Sequence, residues 1–232
     1  MDSAQIHQEK VLAAKQAVKL VESGMVVGLG SGTTSECMIR SLGEEVDKGL
    51  SILAVASSKK SAKLAESLGI ALTSLEEAGM LDINIDGADE FDPELRLIKG
   101  GGGALLREKI LAHYSKYNVI IADSRKQVAK LGNFKLPLEI IPFAAKNIVD
   151  QLAEMGMKPE LRKEKGQAYK TDEQNYIVDV DILGMNKLDH LNNLLLNIPG
   201  IVETGLFINY TDLLIMGKGD ATITFTKTEK GE

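Results

Sequence analysis

Lys99-Gly100-Gly101-Gly102-Gly103-Ala104-Leu105-Leu106-Arg107-Glu108-Lys109 is the stretch on which the reading of this chain turns. Leu95, Leu97 and Ile98 precede it and predict a short buried strand; Ala104 to Tyr114 follows it and predicts a helix. Four glycines strip the intervening turn of side chains. A strand that feeds a bare turn into a helix N-terminus is an anion site, because free N–H groups converge there and the helix dipole favours negative charge. Lys99 adds a formal positive charge. On a helical wheel Glu108 falls between Ala104, Leu111 and Ala112, with Leu105 beside them. Apolar surroundings should raise its pKa toward the value a general base needs. The competing reading is a solvated Glu paired with Arg107 or Lys109, since charged side chains are mostly exposed; the wheel position and the glycine run weigh against it.

Upstream, Val11, Ala14, Val18 and Val21 recur at helical spacing and predict an amphipathic helix ending near Ser23. Met25 to Leu29 reads as a buried strand. Gly30-Ser31-Gly32-Thr33-Thr34-Ser35 then runs into a helix that Gly43 should close. This loop is neither G-x-G-x-x-G, which needs glycine at Thr33 or Ser35, nor a P-loop, which needs a lysine. Its hydroxyls and N–H groups suit one phosphate or sugar hydroxyls, unless Ser or Thr is simply an N-cap. Ile52–Ala56 is the next strand, and Ser57 or Ser58 caps a helix from Lys59 to Leu68. Ile70–Leu72 reads as a short strand, and Ser74-Leu75-Glu76-Glu77 as a capping box. The alternation implies a parallel sheet with helices on its faces.

Ile83 and Ile85 alternate with polar residues and lead into Asp86-Gly87-Ala88-Asp89-Glu90. Open α/β sheets bind ligands at such strand ends, although Asp and Gly there are also ordinary turn chemistry. Val119–Ala122 ends likewise in Asp123-Ser124-Arg125-Lys126, and Lys126 either reaches the same cleft or is simply solvated. Beyond Gly132 the pattern changes. Leu138–Ile141 lies between Pro137 and Pro142, and a helix follows over Ala144–Met155. Strands are read at Glu160–Arg162 and Tyr176–Ile182, a helix at Lys187–Asn197 and a strand at Val202–Phe207. That β-α-β-β-α-β order is the ferredoxin-like pattern. The expected fold is therefore α/β: a Rossmann-like, mostly parallel sheet with helices on both faces (residues 1–132 and 208–232), plus a smaller inserted α+β ferredoxin-like domain (133–207). The insert carries no cluster of catalytic residue types, which points to a structural or oligomerisation role.

The chain has 232 residues, 44% hydrophobic and 26% charged, which is ordinary for a soluble globular protein. A net charge of −6 with no basic run argues against a nucleic-acid surface. Cys37 is the only cysteine, so no intramolecular disulfide forms, and a reducing cytoplasmic compartment fits. The N-terminus has no signal-peptide pattern, and no apolar run is long enough to span a bilayer. His7, His113 and His190 lack metal-ligand spacing. With no nucleophile–base pair, metal cluster or cofactor fingerprint, what remains is proton transfer on a small phosphorylated molecule. A carboxylate base next to a carbonyl contributes about 10²–10⁴-fold and an oxyanion donor about 10²–10³-fold, sufficient for a metal-free aldose–ketose isomerase.

Taken together, Gly28-Leu29-Gly30-Ser31-Gly32-Thr33-Thr34, Asp86-Gly87-Ala88-Asp89-Glu90 and the Lys99–Lys109 stretch closely resemble the ribose-5-phosphate isomerase A family. Asp123-Ser124-Arg125-Lys126-Gln127-Val128 and Ile198-Pro199-Gly200-Ile201-Val202 look like the same family, in order and along essentially the whole chain. The resemblance implies interconversion of D-ribose 5-phosphate and D-ribulose 5-phosphate through an enediolate, in the pentose phosphate pathway, without metal or cofactor. It makes Glu108 the base, Asp86 the group that helps open the furanose ring, and Asp89 and Lys99 the holders of sugar oxygens, with Lys99 steadying the enediolate. Ser31, Gly32, Thr33, Thr34, Gly87, Ala88, Gly100, Gly101 and Gly102 would line the substrate site. Lys126 would contact phosphate, and Lys10 approach it. At Gly103 the family's pattern also admits alanine. Members are typically cytosolic homo-oligomers, most often homodimers. The alternatives are a glucosamine-6-phosphate deaminase or CoA transferase, and a sugar-phosphate sensor. A deaminase needs a catalytic histidine, and His113 falls on the polar side of its helix. A sensor would not need Glu108.

Overall fold

The computed structural model describes residues 2–226. The chain runs α1 (Ser3–Val18), β1 (Val26–Leu29), α2 (Thr33–Asp47), β2 (Leu53–Ala56), α3 (Lys59–Ser67), α4 (Leu75–Ala78), β3 (Ile83–Gly87), β4 (Glu90–Phe91), β5 (Leu97–Ile98), α5 (Leu105–His113), β6 (Asn118–Asp123) and β7 (Leu136–Ile140). It continues with α6 (Ala145–Glu154), β8 (Glu160–Leu161), β9 (Lys163–Glu164), β10 (Gln167–Ala168), β11 (Tyr176–Val180), α7 (Leu188–Leu196), β12 (Ile201–Thr204), β13 (Leu206–Phe207), β14 (Leu213–Lys218) and β15 (Ala221–Thr226). Among the described residues no helix is long and apolar enough to cross a membrane. Packing separates two units. The first uses the chain up to Ala88, Arg107–Gln127 and the chain from Asn209; the second uses Asp89–Leu106 and Val128–Ile208.

The first unit is built on a six-stranded sheet in the order β15-β14-β6-β3-β1-β2, parallel except for the β14–β15 hairpin. Successive side chains of a strand point to opposite faces, and the packing follows that alternation. Val27, Leu29, Ile83, Ile85, Val119, Ile121 and Ile215 pack with Ala13, Ala14 and Ala17 of α1 and with Met38, Ile39 and Leu42 of α2. Val26 and Val55 join Leu81, Leu75, Ala78 and Leu111 of α5 in a separate cluster. Each fully buried Leu or Ile contributes about 1.5–3 kcal/mol. The parallel arrangement brings the Gly30 loop, Ser57, Asp86 and the 3-10 turn Ser124–Lys126 to the same, carboxyl edge of this sheet.

The second unit contains a four-stranded antiparallel sheet, β12-β7-β11-β8, a three-stranded antiparallel sheet, β13-β5-β4, and the β9–β10 hairpin. Leu136, Leu138 and Ile140 of β7, with Val178 and Val180 of β11, pack against Ile148 and Leu152 of α6 and Leu188, Leu191 and Leu195 of α7.

Several elements differ from the sequence-based expectation. Helix α1 ends at Val18, where the chain tightens into turns closed by the Leu20 and Val21 N–H groups. Gly43 lies inside α2 rather than ending it; a Cβ there would sit 2.9 Å from Leu68 Cβ, so the glycine lets α2 and the end of α3 approach. Leu72 makes only an isolated bridge to Ala54. Leu95 adopts φ +58°, which breaks the extended chain, so β5 starts at Leu97. That strand belongs to the small antiparallel sheet and not to the parallel one. Pro137 lies within β7 instead of bounding it. The strand expected over Val202–Phe207 is divided at Gly205 into β12 and β13, which serve two different sheets.

Helix α1 carries a carboxylate that periodicity did not single out. Glu9 is fully buried. Its Oε2 accepts from the Ser124 N–H (3.0 Å) and hydroxyl (2.7 Å), and its Oε1 from the Gly219 N–H (2.9 Å). Burial alone would raise its pKa; hydrogen bonds from Gly219 and Ser124 outweigh that and hold it below the usual carboxylate value. A depressed folded pKa gives stability that is complete above the unfolded value and is lost as pH falls through the folded one. Glu9→Ala strands three donors and is expected to cost about 3 kcal/mol at pH 7. Urea titrations at pH 7, 5 and 3 should show the wild-type advantage shrinking toward pH 3.

Candidate active site

In the first unit the sheet's carboxyl edge holds Asp86, 1% exposed. Its Oδ1 accepts from the N–H groups of Ser31 (3.0 Å) and Gly87 (2.7 Å) and from the Ser35 hydroxyl (3.2 Å). Gly30 makes this possible: a Cβ there would lie 1.9 Å from Asp86 Oδ1. The loop then turns into α2 through Gly32, whose φ of +91° disfavours any side chain. Gly32 is the N-cap, and no side chain caps the helix. The hydroxyls of Thr33 and Thr34 are therefore not used as caps. The first N–H groups of α2 face outward with the positive end of the helix dipole. Lys10 donates to Thr33 Oγ1 at 2.7 Å. A cavity of about 440 Å³ opens here, lined among others by Lys10, Arg40 and Arg125, by one carboxylate, Glu36, and by Thr33. The Ser31 hydroxyl meets those of Ser57 (2.8 Å), Ser58 (2.8 Å) and Ser61 (3.3 Å), and Ser61 donates to the Gly30 carbonyl. Lys126 sits half-buried on the 3-10 turn and does not line this cavity. Asp123 anchors that turn: burial opposes its ionisation, but hydrogen bonds from Arg125 hold its pKa below the usual value.

Helix α5 begins in the second unit and continues into the first. Glu108 is 4% exposed, on the face it shares with the buried Leu111 and Ala112, so the solvated reading fails. His113 is exposed at the end of the same helix.

In the second unit Asp89 donates its N–H to the Ile98 carbonyl and accepts the Gly101 N–H at 2.7 Å. Lys99 is 3% exposed at the end of β5. Its N–H is tied to the Gly205 carbonyl (2.9 Å), and its ammonium lies 5.2 Å from the centre of the Phe207 ring, a cation–π contact. Gly100 takes φ +103° and opens the turn. Two expectations need correcting. The N-terminus of α5 is not vacant for an anion: the buried Glu139 carboxylate accepts the Leu106 N–H, and also the Thr171 hydroxyl and the Asn175 amide. Burial pushes the Glu139 pKa up. At Gly103, where the family's pattern admits alanine, φ is +81° and a Cβ would lie 2.3 Å from Tyr169 Oη, so alanine in this chain is strained and requires the Tyr169 ring to shift.

The sequence reading named Asp86 and Glu108, which the structure buries in the first unit, and Asp89 and Lys99, which lie in the second. It missed Ser57 and Ser61 around Ser31, Glu139 at the α5 N-terminus, and Phe207, Arg162 and Tyr169, because each acts through contacts between distant segments. Only the paired Ser57-Ser58 gave a signal, and it was read as a helix cap alone. Among the described residues no group of three His, Cys, Asp or Glu could hold a metal ion.

The family model described as ribose 5-phosphate isomerase A (phosphoriboisomerase A) matches residues 53–221. A ribose-5-phosphate isomerase A from Ruegeria sp. (strain TM1040) is 45% identical over 238 residues, covering 99% of this chain and 91% of its own. Among solved structures, ribose 5-phosphate isomerase A from Methanocaldococcus jannaschii matches with a TM-score of 0.89 at 37% identity, over 94% of this chain and 98% of that one. A D-ribose-5-phosphate isomerase in complex with phospho-erythronic acid matches with a TM-score of 0.91 at 35% identity, over 97% of this chain and 100% of that one.

Close approach at Gly30 and open space at Gly102 give a paired test. Gly30→Ala must displace the Asp86 carboxylate and is expected to lower stability by about 1–3 kcal/mol. Gly102→Ala, whose Cβ would meet nothing within 4 Å, is expected to change it by less than about 1 kcal/mol. Urea midpoints of the two variants check this.

Proposed function

Because the chain belongs to the ribose 5-phosphate isomerase A family and interconverts D-ribose 5-phosphate and D-ribulose 5-phosphate, we propose that Glu108 is its general base. The observation that carries this is a carboxylate 4% exposed, on an otherwise apolar helix face, in the first turn of the helix that follows a glycine-rich loop. In the aldose-to-ketose direction Glu108 removes the C2 proton. The C–H electron pair becomes the C1–C2 double bond, and the carbonyl oxygen O1 becomes the oxyanion of the enediolate. Glu108 then returns the proton to C1, while the O2 hydroxyl proton passes by way of Asp86 to O1, so that C2 becomes the carbonyl and O1 a hydroxyl. Lys99 holds the developing oxyanion, its buried ammonium attracting charge more strongly than it would in water. Asp86 assists furanose ring opening and moves hydroxyl protons. Asp89, Gly87, Ala88 and the Gly100–Gly102 turn hold sugar oxygens.

The phosphate goes to the Ser31–Thr34 loop, for which the uncapped α2 N-terminus, the Thr33 hydroxyl and Lys10 give the chemistry. Lys126 is a second cationic contact. Residues 133–207 form a ferredoxin-like insert in a Rossmann-like catalytic domain; the β12-β7-β11-β8 strand order supports that reading. The insert's exposed Phe143 and Leu183 support a role in forming a homodimer. The enzyme works in the cytoplasm, without metal or cofactor.

Glu108→Gln keeps the shape and removes the base. It is expected to lower kcat by about 10³–10⁴-fold while ribose 5-phosphate still binds, seen as protection of the thermal midpoint by the sugar phosphate. Lys99→Ala should weaken both turnover and binding. Assays run with chelator present should show unchanged wild-type turnover.

A further inference from the structure

The carbonyls of Gly100, Gly101 and Gly102 are all bound by side chains from one place, the segment that follows β8. Arg162 Nη1 donates to the carbonyl oxygens of Gly100 (2.8 Å) and Gly101 (3.1 Å). Tyr169 Oη donates to that of Gly102 (3.2 Å). The Arg162 guanidinium is itself held side-on, Nε to Asp179 Oδ2 at 2.9 Å and Nη2 to Oδ1 at 2.5 Å. The ion pair is largely shielded, with side-chain exposures of 16% and 18%. Backbone bonds fix the clamp in turn: the Arg162 N–H donates to Ile177 of β11, the strand that carries Asp179, and the Tyr169 N–H donates to the Arg162 carbonyl. The Tyr169 ring lies 6.0 Å from the guanidinium carbon.

A peptide group is planar and trans, so a fixed C=O fixes the N–H of the next residue on the opposite side. Binding the Gly100 carbonyl orients the Gly101 N–H, which holds Asp89 Oδ2 at 2.7 Å. Binding the Gly101 carbonyl orients the Gly102 N–H, which has no acceptor among the described residues and lies on exposed backbone. Four glycines in a row would otherwise sample many backbone states. We infer that Arg162, seated on Asp179 and seconded by Tyr169, is a positioning residue for the isomerisation. It presets the Gly102 N–H as a donor to an oxygen of the enediolate, and the Asp89 carboxylate, an acceptor only, for a sugar hydroxyl. The inference rests on the reading of Asp89 and the Gly100–Gly102 turn as sugar contacts. Lysine cannot replace Arg162, because an ammonium lacks the planar fork that serves a carboxylate and two carbonyls at once.

Preset donors favour the charged intermediate over the neutral sugar, so their loss falls on kcat. Arg162→Lys in the full chain is expected to lower kcat by about 10²-fold with KM for ribose 5-phosphate within about threefold. Affinity for phospho-erythronic acid, whose carboxylate carries charge as the enediolate does, should fall at least about tenfold. Tyr169→Phe keeps the ring against Gly103 and loses one hydrogen bond; a kcat about three- to tenfold lower at an unchanged melting temperature is expected. It decides the matter should the Arg162 variant fail to fold. Millimolar guanidinium should restore turnover to Arg162→Ala. Unchanged kcat and unchanged acid affinity in folded Arg162→Lys and Tyr169→Phe overturn the inference, as does a loss confined to KM. Glu108→Gln separates the two levels. It should keep its affinity for the acid, and if wild type and Glu108→Gln both fail to bind it, the reading of the turn as a sugar site falls as well.

Discussion

The Asp86 carboxylate occupies the space where any residue other than glycine at position 30 would place its Cβ. This one close approach ties the loop after β1 and the start of α2 to the end of β3. Asp86 is the end of β3, Ser31 follows β1, and Ser35 lies in the first turn of α2. All three donors converge on the same oxygen, Oδ1. Once that oxygen is fixed, the entry into α2 is fixed, and with it the direction of the helix N-terminus and of Thr33. The parallel sheet beneath supplies the rigidity, because β3 is central, between β1 and β6.

Such an arrangement is held against an opposing cost. Asp86, Lys99 and Glu108 are each at most 4% exposed, and burying charge is unfavourable unless hydrogen bonds and partners compensate. Each unit has apolar clusters of its own whose burial offsets that cost, two in the first and one in the second. The buried polar groups outside the chemistry show how the compensation is made. Glu9 accepts three hydrogen bonds and is held below the ordinary carboxylate range; for Glu139, as fully buried, desolvation outweighs the hydrogen bonds and pushes its pKa up. The same residue type titrates in opposite directions because donors dominate in one setting and desolvation in the other.

How much of this could be read from the chain alone depends on the range of the interaction. Asp86, Lys99 and Glu108 were legible because each stands beside a local signal: a strand end, a glycine run, a position on a helical wheel. The parallel sheet was legible from alternation of strands and helices. Gly43 was misread because a glycine within an apolar helix pattern looks like a stop, whereas its role comes from Leu68, twenty-five positions away. The α5 N-terminus was read as an open anion site because nothing near it in sequence announces Glu139. Arg162 and Tyr169 lie in a stretch rich in lysine and glutamate that gives no periodic signal, and their partners are more than sixty positions upstream. What Arg162 and Tyr169 hold was not legible because they bind backbone carbonyls, and carbonyls have no letter in a sequence.

Gly205 joins two sheets of the second unit. Its N–H donates to the Pro137 carbonyl in the middle of β7, and its carbonyl accepts the Lys99 N–H at the end of β5. A Cβ at this position would lie 2.3 Å from the Lys99 carbonyl oxygen. The strand bearing the buried ammonium cannot detach by fraying alone; it has to take the neighbouring four-stranded layer with it. In exchange with deuterated solvent, the amides of Lys99 and Gly205 would then share one opening event and one protection factor, making the lysine's support a cooperative property of the whole inserted layer.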